Sequence, residues 1–82
     1  MAVDNARQFL DTLCNDASIR AQFNSTGAAN INTIMDFGMS KGFVFSEKDL
    51  REALQEYPEH YVVDQMRERL KVQRTRPAAQ TT

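Results

Sequence analysis

The chain has one cysteine, one histidine, three glycines and no tryptophan. A lone thiol, Cys14, cannot close an internal disulfide, which excludes a secreted disulfide scaffold and points to a reducing, cytoplasmic setting. Cys14 also reads as a small buried hydrophobe at the end of the first helix. A reactive thiol needs a nearby cation or a helix N-terminus, and the C-terminal end of a helix disfavours thiolate. His60 has only Glu59 and Asp64 as acidic neighbours, so no set of zinc ligands at metal-binding spacing exists. Gly27, Gly38 and Gly42 form no phosphate-cradling loop, and no nucleophile elbow or calcium-loop spacing is present. No apolar run approaches the length of a membrane span. Met1-Ala2-Val3-Asp4 lacks the basic-then-apolar order of a signal peptide. The expectation is therefore no catalytic residue, no cofactor, no metal and no membrane.

What is there fits one small domain. The chain has 82 residues, 41% of them apolar, and a domain of that size buries only about 60–65% of its unfolded surface. The net charge of −1 hides an uneven distribution. Residues 1–66 carry five basic and ten acidic side chains, whereas residues 67–82 carry five basic ones against Glu68 alone.

Apolar spacing of three and four residues predicts helices along most of the chain. Ala6, Phe9, Leu10, Leu13 and Cys14 make the inner face of the first, with Asp4 as its cap. Asp16 caps a second over 17–23, with Ile19 and Phe23 inward. A third starts near Ala28 or Asn30 and runs to Lys41, with Ile31, Ile34, Met35, Gly38 and Met39 inward. Gly38 costs up to ~1 kcal/mol there relative to Ala, offset by close approach of a neighbouring helix. Gly42 ends it in left-handed conformation, and Phe43 folds back onto its last turn. Ser46-Glu47-Lys48-Asp49 is a capping box with Asp in place of Glu or Gln, opening a fourth helix to about Tyr57 that buries Leu50, Ala53 and Leu54. Pro58 separates it from a fifth segment over 59–72. There Val62, Val63, Met66 and Leu70 form a narrow apolar stripe among charges. Residues 73–82 read as a disordered tail.

The order Ala-Arg-x-Phe-Leu (6–10), Asn-Asp-x-x-Ile-Arg (15–20), Lys-Gly-Phe-x-Phe-Ser-x-x-Asp-Leu (41–50) and Ala-Leu (53–54) resembles the Nif-eleven family. That family comprises small proteins linked to nitrogen-fixing bacteria and cyanobacteria, and it supplies leader regions of ribosomally made, enzymatically modified peptides. The resemblance implies a helical domain that peptide-modifying enzymes dock, and it brings no catalytic residues. It also shows a departure from the leader pattern. The glycines all lie inside the domain rather than at a cleavage site, and no cysteine follows Tyr57. A standalone member is expected.

The fold expected is all-α, a small bundle of four to five short helices with a disordered C-terminal tail. Its parts are a family-like domain over 1–57, an amphipathic basic helix over 58–72 and the tail over 73–82. The function expected is a non-catalytic protein-interaction module. Its candidate partner-binding residues are Val62, Val63, Met66, Leu70, Arg67, Arg69, Lys71 and Arg74. The partner would be another protein, such as a peptide-modifying enzyme, or a second copy of the chain. Nucleic acid, bound by the basic last helix, is the alternative. The acidic body argues against it, and no aromatic side chain interleaves the basic run to stack on bases.

Overall fold

The computed structural model describes residues 2–27 and 30–72. These hold five α-helices and no strand: α1 (Ala2–Asn15), α2 (Ala17–Ser25), α3 (Ile31–Ser40), α4 (Glu47–Glu56) and α5 (Tyr61–Leu70). The expected tail, 73–82, lies outside the described residues. The fold is the all-α bundle that periodicity predicts.

α1 is the central element, packed against α2, α4 and α5. Its Ala6, Phe9, Leu10 and Leu13 are completely buried. Asp4 lies within the first turn of α1 rather than capping it, where a carboxylate still favours the helix dipole. The aromatic centre is Phe9, whose ring lies 5.3–6.2 Å from those of Phe23, Phe37, Phe43 and Phe45. All five phenylalanines of the chain thus share one cluster. Aromatic pairs at this separation add about 0.5–1.5 kcal/mol each beyond their buried area. Phe37, which the periodicity reading leaves out of the core, is buried there. Met35, Phe43 and Ile19, which it places inside, are only half-buried.

Two short motifs fix the chain between elements. After α3, Gly42 takes φ +91°, its N–H donates to the Met39 carbonyl (3.0 Å), and the Phe43 N–H donates to the Gly38 carbonyl (2.8 Å). This pair of bonds is a Schellman stop. Gly38 accommodates an aromatic ring rather than a neighbouring helix. A Cβ there would stand 2.8 and 2.9 Å from the Phe45 ring carbons Cε2 and Cζ. Directly afterwards Ser46 and Asp49 form the full capping box of α4. The Asp49 N–H donates to Ser46 Oγ (3.2 Å), and the Ser46 N–H donates to Asp49 Oδ2 (3.0 Å). That last bond, with a second donated by the Ser46 hydroxyl to Asp49 Oδ2 (2.9 Å), holds the Asp49 carboxyl below its usual range.

α5 is shorter at both ends than expected. His60 is its N-cap rather than a first-turn residue, with Nδ1 accepting from the Val62 N–H (3.3 Å). At the other end Lys71 adopts φ 59°, and the Val72 N–H closes onto the Arg67 carbonyl (2.8 Å). That left-handed residue turns the chain and tucks Val72 into the core.

Candidate interaction surface

The last helix does not present its apolar stripe. Val62, Val63 and Met66 are fully buried and Leu70 nearly so, all within the common core against α1 and α4. The stripe, with Arg67, is the core-facing side of α5. It closes the domain's own interior, so residues 58–72 pack as part of the bundle and these four side chains are not a surface for a partner.

Arg67 also turns inward, at 6% exposure. Its Nε donates to the Leu54 carbonyl (2.7 Å), its Nη2 donates to the Tyr57 carbonyl, and its Nη1 pairs with Asp64. Leu54 and Tyr57 belong to the end of α4, a helix with no basic residue in its own last turn. A guanidinium from α5 therefore satisfies carbonyls that α4 leaves open. Of the remaining basic candidates, Arg69 and Lys71 are exposed, and Arg74 lies outside the described residues.

Two more arginines act the same way. Arg20 on α2 donates to the Leu13 and Cys14 carbonyls at the end of α1 (3.0 and 2.9 Å), and its guanidinium stands 5.8 Å from the Tyr61 ring centre. Arg51 on α4 donates to the Leu70 carbonyl at the end of α5 (2.9 Å) and pairs with Glu47 (3.0 Å). In each case the orphan carbonyls of one helix are met by a neighbour's arginine. This job is hidden in sequence, because donor and acceptor lie six to nineteen positions apart.

The polar groups that could do chemistry are few. Burial pushes the half-buried Cys14 thiol up, against the pull of the nearby Tyr57 hydroxyl, so the thiol form is favoured. The Tyr57 hydroxyl donates to the Asp11 carboxylate, and burial together with that bond raises the phenol well above its ordinary range. Asp16 and Asp49 serve as caps, and Asp4, Glu47, Glu56 and Asp64 stand in ion pairs. Among the described residues no three His, Cys, Asp or Glu side chains cluster as metal ligands, and no helix is long and apolar enough to cross a membrane. A shallow groove beside α4 is lined by residues of both charge signs, including the paired Glu47 and Arg51.

Apolar surface remains elsewhere. α3 turns Ile34, Phe37 and Gly38 to the core. Ile31 and Met35 are half-buried, and Met39 is 58% exposed. These last three recur every four residues, so they make one ridge along the flank of α3. At ~100° per residue the apolar arc from Phe37 round to Met39 covers roughly 200°, about twice what a helix needs to face a core. Beyond the Schellman stop Val44 is 60% exposed, with its carbonyl held by Asn5 Nδ2 (3.1 Å). The periodicity reading places Met39 on the inner face. The core side of α3 is instead filled by the larger Phe37 ring, between Phe9 and Phe23 at 6.2 and 5.3 Å.

Comparison with protein families matches residues 1–50 to the Nif11 domain. No curated protein and no solved structure matches the chain.

Proposed function

The chain belongs to the Nif11 family, and from that premise we propose that it is a non-catalytic interaction module, bound by another protein much as the leader domains of modified peptides are. The observation that carries the reading is the ridge on α3, apolar surface left open after the core has closed. Small domains can ill leave bulky side chains uncovered, and methionine is suited to adaptable contacts. By likeness to the leader members, a peptide-modifying enzyme is the class of partner. A free, half-buried thiol supports a reducing, cytoplasmic setting.

The test is co-purification of the full chain from its own host, compared with a Met39→Asp variant. Both are checked for folding by circular dichroism. A partner retained by the parent and identified as a protein supports the module. Absence of any protein partner, with enzymatic turnover of a small molecule instead, defeats it.

A further inference from the structure

We propose that the ridge Ile31-Met35-Met39 is the seat of a basic amphipathic helix of a partner protein, an inference that rests on reading the domain as a docked module. Three observations select this occupant. The first is shape. The described residues hold no strand, so addition of a strand to a sheet edge is closed to them. A row of side chains spaced by four is the ridge that packs into the groove of another helix. From Ile31 to Met39 the row is about 12 Å long, a match for roughly two turns of a partner helix.

The second observation is charge. All eleven acidic residues lie in the described part, with eight of the ten basic ones, Arg74 and Arg76 being the others. Of those eight, Arg20, Arg51 and Arg67 direct their guanidinium groups at backbone carbonyls. Beside the ridge, Asn32 and Asp36 are exposed at the positions just after Ile31 and Met35. Asp36 is the one formal charge on α3. A helix with lysine or arginine flanking its apolar stripe meets this edge favourably, and an acidic helix does not.

The third is area. A stable dimer needs about 800 Å² per partner. Three side chains, two of them already half covered, fall well short, and a second copy would bring a second Asp36 to the contact. The ridge therefore suits a weak contact whose rate of formation is raised by charge and lowered by salt.

The experiment titrates the isotope-labelled full chain with two synthetic helical peptides of roughly four turns. They share one leucine stripe and differ in carrying lysine or glutamate beside it. Amide shifts are followed by NMR at about 50 mM and about 300 mM salt. The lysine peptide is expected to shift Ile31, Met35, Met39 and their neighbours, with affinity falling several-fold at the higher salt, and the glutamate peptide is not. Met39→Asp, at an exposed position that leaves the core alone, is expected to weaken the lysine peptide by about tenfold or more. Equal binding of both peptides, shifts centred on another helix, or no shifts overturn the proposal. So does a parent chain that sediments as a dimer and a Met39→Asp chain that sediments as a monomer. If a natural protein partner is kept by Met39→Asp, this surface is wrong while the docked-module reading stands.

Discussion

Removing the Arg67 side chain orphans the carbonyls of Leu54 and Tyr57 at the end of α4 and leaves Asp64 without its pair. Arg67→Met keeps much of the buried aliphatic stem, so its effect isolates those polar bonds. Charged hydrogen bonds of this kind contribute about 1.5–3 kcal/mol, and a loss of about 2–3 kcal/mol is expected. In a domain this small that is a fall of roughly 10–20 °C in melting temperature, measured by circular dichroism. An unchanged melting temperature would return Arg67 to the surface role that its place in a basic run implies. Gly38 poses the opposite problem, too little room. Gly38→Ala gains up to ~1 kcal/mol of helix propensity. Its Cβ would enter within 2.9 Å of the Phe45 ring, which is buried and cannot swing aside. Overpacking costs about 1–3 kcal/mol, so a net loss near 1 kcal/mol is expected. In a Phe45→Leu background the same change should cost less or become favourable. Denaturant melts of the four chains in the cycle measure the coupling, and strictly additive effects would refute the contact.

Helix boundaries are set here by caps more than by propensity. Ser46→Ala removes the acceptor for the Asp49 N–H and half of the capping box. Such a change costs about 0.5–2 kcal/mol, readable in a urea melt. The other half of the box has a pH signature. The folded Asp49 carboxyl is held below its ordinary value by the Ser46 N–H and hydroxyl. Its stabilisation is therefore complete above the unfolded value of about 3.9 and is lost as pH falls through the folded one. Asp49→Asn should flatten the acid limb of the stability curve and leave its neutral portion little changed in shape. An acid limb identical to the parent's would mean that other carboxylates carry it. Caps made from neighbouring letters, Asp16, Ser46 with Asp49 and Gly42, are legible in the sequence because their geometry is local. The arginine caps were not, since each needs a second helix already in place. The open ridge was missed for a related reason. Four-residue spacing identifies Met39 as apolar, but only the position of the Phe37 ring decides which side of α3 faces the core.

At the scale of the whole molecule, the family match ends at residue 50, and the basic run after Tyr57 invites a division there. The packing joins the two sides of that point in one core. Val62, Val63, Met66 and Leu70 from α5 share the core with Leu10, Leu13 and Leu54, and guanidinium groups join α4 and α5 in both directions through Arg67 and Arg51. Each such apolar side chain contributes about 1.5–3 kcal/mol when buried. Four of them together, about 6–12 kcal/mol, are comparable with the roughly 4–12 kcal/mol that a domain of this length holds in total. A chain cut after Tyr57 should accordingly lose cooperative folding even though it keeps the whole family-matched region. It would expose Leu54 and part of α1, and it would leave the carbonyls at the end of α4 without Arg67. The measurement is a thermal melt of residues 1–57 by circular dichroism beside the full chain, with calorimetry to test for a single transition. A broad, non-cooperative loss of helix is expected. Adding a peptide of residues 58–72 in excess should restore part of the transition, because it returns the apolar side chains that pack against α1 and α4. A fragment that melts as sharply and as high as the full chain would show that α5 is an appendage, and would make its basic residues available again as a binding element.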